Sequence, residues 1–378
     1  MSDRVVVVGG GIAGCAIARE LAPAFTVDVI ERGQIASGAT GRAAGEITMP
    51  AVYTDYPAIG NHAFEFFREY DGTGEFEFTE CRSVELVDVD RAEEAERRAE
   101  RLAEHGFRWL DRSAAEATYP RFDLSAFAGV VETPRNGFVD PYTFATTLRA
   151  DAESEGAAFH THTEVTGIET ADGRVSGVRT DAGRVDADFV VAAAGWRTRQ
   201  LLGGLIEIPI HPYRTQCVVL RPEPPLSGSF PMGFHPDEHV YFRAERSGDL
   251  LVGGFSFAES DPENASRDAD EAFRTHVAEL IPTFLEGFDD ASFVDGWAGV
   301  DAATPDTRPI VDAPADAPDG LVVATGFHGR GIMTAPVTAT VVHSLVSGEP
   351  APFPTTPFAL DRFEDRSDEF EFTSISSE

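Results

Sequence analysis

The chain opens on an unbroken apolar run, Val5-Val6-Val7-Val8, with no polar alternation. This predicts a strand buried on both faces, as in the middle of a parallel sheet. The run stops at Gly9-Gly10-Gly11-Ile12-Ala13-Gly14, and the pattern turns helical from about Ile12 to Leu21, with Ala16, Ile17 and Leu21 facing inward. Phe25 to Ile30 reads as a second apolar strand with Glu31 at its end. Gly9, Gly11 and Gly14 fit G-x-G-x-x-G. The first glycine makes a tight turn, the second lets a pyrophosphate approach the backbone, and the third lets the helix lie close on the strand. The helix N-terminus then offers N–H groups and the positive dipole end to phosphates. Glu31 accepts from ribose hydroxyls and repels a 2′-phosphate. The expected ligand is a dinucleotide, NAD or FAD rather than NADP.

Further along, Asp188–Ala193 is an apolar strand ending in the turn Ala194-Gly195-Trp196. Near the C-terminus, Ala324-Thr325-Gly326-Phe327-His328-Gly329-Arg330-Gly331-Ile332-Met333-Thr334-Ala335-Pro336 is a glycine-rich turn opening a helix, from Gly331 to about Val346, closed by Gly348. Nucleotide-type segments recur at about 1–80, 140–207 and 300–365, so the nucleotide domain is expected to be discontinuous. Between them, 81–139 and 208–299 alternate more and predict a mostly antiparallel sheet, with strands at Val84–Val89, Thr215–Leu220, His239–Arg243, Leu250–Gly254 and Ser292–Val300. Arg91 to His105 reads as a solvated amphipathic helix capped by Gly106. Residues 366–378 read as a frayed acidic tail. The fold class is α/β: a Rossmann-type domain with an inserted, mostly antiparallel substrate domain.

These segments, with Ser37-Gly38-Ala39-Thr40-Gly41-Arg42-Ala43-Ala44-Gly45, Asn136-Gly137-Phe138-Val139-Asp140-Pro141, Thr304-Pro305-Asp306 and Pro357–Phe363, make a pattern over roughly residues 4 to 365. It resembles the flavin amine and amino-acid oxidoreductases: D-amino acid oxidase, glycine oxidase, monomeric sarcosine oxidase and dimethylglycine dehydrogenase. The resemblance implies FAD and removal of a hydride from the C–N unit of a small amine or amino acid to flavin N5. The resulting imine is hydrolysed by water. It places the cofactor against Gly9, Gly11, Ile12, Ala13, Gly14, Glu31, Arg32, Thr40, Gly41, Arg42, Ala43, Ala44, Val165, Ala194, Gly195, Trp196, Gly326, Gly329, Arg330, Gly331, Ile332 and Met333. Arg330 is the first candidate for a substrate grip, because a guanidinium can hold a carboxylate through two hydrogen bonds. His328 in the same turn, and Tyr241, Arg214 and Arg243 on strands expected over the flavin, complete the candidate catalytic set.

Several positions depart from the family. Where sarcosine oxidases carry an oxygen-promoting lysine, this chain has about Leu251, and their carboxylate-binding lysine falls at Met333. Their flavin-linking cysteine falls at about Gly299, so FAD is expected to be noncovalent. An arginine of glycine oxidases falls at about Asp301, and Glu46 stands where the family has glycine. Glu46 reads either as a contact for a cationic amine or as a surface or cap residue.

Composition narrows the picture. With 64 acidic and 30 basic residues the net charge is −34, and no residue is lysine. That suits solubility in concentrated salt, where screening removes most self-repulsion, and excludes nucleic acid as a partner. A disordered acidic chain is excluded by 42% hydrophobic residues and 28 Phe. Missing lysine leaves no amine for a Schiff base and favours a dehydrogenase over an oxidase, although the acceptor (oxygen, quinone or an electron-transfer protein) stays open. Cys15, Cys81 and Cys217 are scattered and odd in number, which fits a reducing cytoplasm and no disulfide framework. His235 and His239 flank a turn without further ligands, so no metal is expected. The first strand begins at once and no apolar run approaches about 18 residues, so neither a leader nor a membrane span is expected. Three other readings stay open: a 2-hydroxy-acid oxidoreductase using His328 or His235 as base, a flavin-carrying electron-transfer subunit, and an NAD-binding Rossmann protein.

Overall fold

The valine run is the centre of a six-stranded sheet. In the computed structural model, which describes residues 2–374, the order is Ile310–Asp312, Leu321–Thr325, Phe189–Ala192, Arg4–Val8, Thr26–Ile30 and Ala158–His160. All neighbours are parallel except Ile310–Asp312, which runs against Leu321–Thr325. Val5, Val6 and Val7 are fully buried because helices cover one face and a second apolar layer the other. Helix Ile12–Leu21 lies on the first face, between helices Pro141–Ser154 and Gly331–Ser347. Its small residues, Ala13, Gly14, Ala16 and Ala18, permit that close approach. Asp140 caps Pro141–Ser154 by accepting from the Thr143 N–H at 2.6 Å. Gly348 closes Gly331–Ser347 in the left-handed conformation.

A nine-stranded sheet stands over this layer, in the order Ser292–Ala303, His211–Arg221, Leu250–Ala258, Val240–Ala244, Met232–His235, Thr79–Asp88, Phe127–Phe138 and Glu46–Ile47, with Arg108–Asp111 also on Phe127–Phe138. It is antiparallel throughout except between Met232–His235 and Thr79–Asp88. The five expected strands are present, and Glu46–Ile47 joins them although it lies far upstream in the chain. The expected helix from Arg91 to His105 is broken into Ala92–Arg101 and a short 3-10 turn, Ala103–His105, before Gly106. Among the described residues no helix is long and apolar enough to cross a membrane.

The tail differs from the frayed segment expected after Asp365. Its described residues dock: Arg199 pairs with Asp368, Arg366 with Asp316 at 2.8 Å, and the His328 Nε2 lies 2.6 Å from the Thr373 carbonyl. Phe372 stacks on His328 with centroids 5.5 Å apart and on Tyr213 at 5.0 Å. Two phenylalanines among the acids carry enough apolar area to offset the ordering entropy. Phe372→Ala is expected to lower the melting temperature by roughly 2–4 °C. A melt superimposable on the parent would show that the tail does not dock in solution.

Candidate functional site

A cavity of about 1450 Å³ runs between the two sheets. At one end it meets the turn after Val8. Gly9 has φ +115, and a Cβ there would lie 2.3 Å from the Ala193 carbonyl oxygen; a Cβ on Gly14 would lie 1.9 Å from the Gly9 carbonyl oxygen. Both positions therefore exclude any side chain. No residue at the Gly11 N-cap position contributes a capping side chain, no acid lies in the first turn, and Thr40 Oγ1 takes only the Ile12 N–H, at 2.9 Å. Glu31 accepts from Gly10 N at 2.8 Å and Gly33 N at 2.7 Å, which fixes its carboxylate at the cavity wall. Arg32, Val165, Ala194, Gly195 and Trp196 line the same end. Glu263, which sequence reasoning missed, reaches across from the loop after Leu250–Ala258. It binds Arg197 at 2.6 Å and Arg32 at 3.5 Å, and the Arg197 hydrogen bond holds its carboxyl below the usual range.

At the other end the C-terminal turn meets the larger sheet. Gly329, Arg330, Gly331, Ile332 and Met333 line the cavity, as do Thr40, Arg42, Ala43 and Ala44. Gly14, Gly41 and Gly326 do not face it; they serve packing instead, since a Cβ would stand 2.5 Å from the Ala36 carbonyl oxygen at Gly41 and 2.4 Å from Thr304 Cγ2 at Gly326. Arg330 is buried, and its Nη1 donates to the Thr307 carbonyl at 3.0 Å and to Thr307 Oγ1 at 2.8 Å. The segment Thr304–Thr307 thus braces it.

Strand alternation sorts the remaining candidates. Tyr213 and Thr215 of His211–Arg221 face the cavity with Tyr241 and Ser256. Arg214, between the first two, points the other way. It is locked to Asp270 at 2.9 Å and to the carbonyls of Ser266 and Asp268, so it orders that loop and does not meet a ligand. Arg243 is also off the cavity wall; its Nε donates to the Ala44 carbonyl at 2.7 Å and its Nη2 pairs with Glu245 at 3.1 Å. His328 is fully buried behind the wall, with Nδ1 accepting from Thr304 N at 3.1 Å. His235 packs edge-on against Phe127 and Phe284. Of the five catalytic candidates, Arg330 and Tyr241 reach the cavity, and Arg214, Arg243 and His328 support it from outside. The period-two pattern of His211–Arg221 was the signal that separates Arg214 from its neighbours. Among the described residues no group of His, Cys, Asp and Glu could hold a metal.

Two carboxyls complete this end. Gly45, at φ +77 and with the Val139 carbonyl oxygen 2.1 Å from any Cβ, makes the turn that presents Glu46. Burial pushes the Glu46 carboxyl up to about 8 against the opposing field of Arg243, and its Oε1 has no hydrogen-bond partner. Asp301 accepts from Gly329 N at 2.8 Å; burial raises its carboxyl and the Gly329 and Ala302 N–H groups oppose the rise. Burial also keeps the Tyr213 and Tyr241 phenols well above their ordinary value, hence protonated.

The bare helix terminus, the side-chain-free turn and a long cavity ending at an aromatic wall fit FAD, with Gly9–Ala13 and Glu31 at the nucleotide end and Ala43, Ala44, Gly329–Met333 at the ring end. A parallel dinucleotide sheet roofed by an antiparallel one defines a flavin-dependent oxidoreductase. The chain matches the family described as FAD dependent oxidoreductase over residues 4–345 and belongs to it. It is 27% identical to the glycine oxidase of Geobacillus kaustophilus (strain HTA426), covering 95% of this chain and 96% of the relative. It is 26% identical to the 4-methylaminobutanoate oxidase (formaldehyde-forming) of Paenarthrobacter nicotinovorans, over 95% of this chain and 45% of that longer protein. The crystal structure of L-proline dehydrogenase from P. horikoshii superposes with a TM-score of 0.87 at 25% identity, covering 96% of this chain and 98% of the other.

The raised Glu46 carboxyl has a stability consequence. Between its ordinary value of 4.5 and about 8, the folded protein holds a proton that the unfolded chain has released. Stability therefore falls as pH rises through that window, by up to about 1.4 kcal/mol per pH unit. Glu46→Gln is expected to melt above the parent near pH 8, with the difference closing toward the lower end of the window. A difference that does not vary with pH would contradict the assignment.

Proposed function

We propose that this protein oxidises the C–N unit of a small amine or amino acid, giving an imine that water hydrolyses, and that it hands the electrons to an acceptor other than oxygen. The observation carrying the first part is the continuity of one cavity from the Gly9–Gly14 turn to the Tyr213, Tyr241 and Arg330 wall. The relatives named above take glycine, 4-methylaminobutanoate and L-proline, which share a C–H beside nitrogen. Bound FAD supplies a two-electron acceptor for that C–H. The chain's own residues position the substrate, exclude water with two tyrosines, and brace the guanidinium of Arg330 so that it keeps one orientation. A 2-hydroxy-acid reading needs a base at the substrate hydroxyl, and neither His328 nor His235 lines the cavity. An electron-transfer subunit would favour a contiguous apolar face. The exposed Phe257 and Phe293 instead lie toward opposite ends of the strand His211–Arg221.

Support for a dehydrogenase comes from Leu251, buried in an apolar cluster with Ala44, Cys217 and Val219 where a cation would promote reaction with oxygen. Its cross-strand partner Arg243 is held by Ala44 and Glu245. We further place the protein in a reducing, salt-rich cytoplasm: its cysteines are free, and its charge of −34 calls for screening.

Anaerobic bleaching of the yellow holoenzyme by glycine, sarcosine, proline or simple amines tests the reaction; bleaching by hydroxy acids alone would overturn it. With a bleaching amine, turnover on a redox dye should exceed oxygen consumption by at least about tenfold. Equal rates would make it an oxidase. Raising KCl from about 0.1 to 1 M should raise the melting temperature, as the screening length shortens from about 10 to 3 Å.

A further inference from the structure

His328 connects the end of the chain to the cavity wall. It is fully buried in the turn before helix Gly331–Ser347 and has φ +51, a left-handed conformation that sterics disfavour for a residue with a Cβ. Its ring is held from both sides. The Thr373 carbonyl, 2.6 Å from Nε2, can only accept, so Nε2 carries the proton. Nδ1 is then a lone pair, and the Thr304 N–H donates to it at 3.1 Å. The tail thereby selects the tautomer that Thr304 requires. From Thr304 the path continues inward. The Thr304 carbonyl accepts from the Thr307 N–H at 3.4 Å, and the Thr304 hydroxyl donates to the Arg308 carbonyl at 2.9 Å. Thr307 takes the Arg330 Nη1 on both its carbonyl and its hydroxyl, and Arg330 lines the cavity. We propose that the C-terminal tail is a positioning element of the site: Phe372 and Thr373 hold His328, and through the turn Thr304–Thr307 they orient the Arg330 guanidinium toward a substrate carboxylate. This rests on the reading of the cavity as an amine-oxidising site.

Packing converges on the same stretch of wall. The His328 and Phe372 rings are nearly parallel, at 6°, and Tyr213 lies against both, 5.3 Å from His328 and 5.0 Å from Phe372. Such a cluster restrains an imidazole in its plane as well as along its hydrogen bonds. Tyr213 lines the cavity, and its phenol feels the charge of Arg330. Further out, Phe370 packs on His211 with centroids 4.3 Å apart, and His211 belongs to the same strand as Tyr213. Two ion pairs, Arg199 with Asp368 and Arg366 with Asp316, fasten the approach to this cluster. The tail lies beyond residues 4–345, the part of the chain that matches the family. A guanidinium that must meet a planar carboxylate through two hydrogen bonds depends on its orientation, so a brace several residues away acts on binding.

The rival is a tail that only adds stability, which would shift all substrates alike. Sarcosine with dimethylamine, and proline with pyrrolidine, are pairs that differ by one carboxylate. In anaerobic bleaching of the holoenzyme well below its melting range, Phe372→Ala should raise the half-saturating amino acid concentration about tenfold. Ending the chain after Asp368 should do the same, while the plain amine of the pair moves less than about threefold. Phe372→Tyr, which keeps the ring, should stay within about twofold of the parent. In an Arg330→Ala background, adding Phe372→Ala should change the amino acid value less than about twofold, because both act through one guanidinium. Additive effects, equal shifts for acid and amine, or no shift overturn the proposal and leave the amine reaction standing. Exchange of the Arg330 guanidinium protons, followed by NMR without substrate, should be at least about tenfold faster in Phe372→Ala, with the buried Arg214 unchanged. If neither amines nor amino acids bleach the flavin while this exchange quickens, the reaction falls and the role of the tail stands. Unchanged exchange at Arg330, or an equal change at Arg214, overturns that role whether or not any amine reacts.

Discussion

The contact on which the rest of this molecule depends is between two glycine backbones. Gly14 presses so closely on the Gly9 carbonyl that a single methyl group on Gly14 would drive the helix off the strand, while one on Gly9 would strike the Ala193 carbonyl instead. That closeness aims the bare end of helix Ile12–Leu21 at the mouth of the cavity and sets the helix against Gly331–Ser347. The second helix begins at the ring end of the same cavity. Both ends of the cofactor site are therefore referred to one rigid pair of helices, and their spacing does not depend on the mobility of any loop.

The larger sheet supplies what the nucleotide layer lacks, a wall whose chemistry is set by alternation. Tyr213 and Thr215 face inward, while Arg214 between them organises the loop Ser266–Asp270 on the far side. That loop belongs to the same crossing that brings Glu263 to Arg32 and Arg197. One arginine on the outer face thus helps to place an ionic tie at the nucleotide end. Arg243 acts similarly, holding the Ala44 carbonyl and so the turn that presents Glu46. In both cases a guanidinium that looked like a substrate grip is spent on shape. A buried guanidinium carries five donors and must satisfy them wherever it lies. In a chain with no lysine, arginine does all such structural work.

What could be read from residues alone was whatever a local pattern dictates. The valine run, the glycine turn, the helix from Ile12 and the acid Glu31 follow from sterics within about thirty consecutive residues. The helix after Gly331 with its Gly348 cap is of the same kind, as are the five strands of the middle block. The tail was misjudged because its acids outweigh two phenylalanines in composition, whereas docking is decided by the ring of His328 that waits for Phe372. His328 itself looked like a site residue because it sits inside the flavin motif, yet a positive φ turns its ring away from the cavity and under the tail.

Sequence by itself determined the glycine turn, the bare helix end behind it and the FAD-dependent family to which this chain belongs, because these are written in glycines and hydrophobic runs that act over short range. Only the tertiary structure decided which polar side chains share the cavity. Glu46 and Asp301 are separated by most of the chain and lie on opposite edges of one sheet, and nothing in either local pattern says that they line the same space. Local sterics fix a turn, but the partners of a buried charge are set by long-range packing, which brings them together only when the whole sheet has formed.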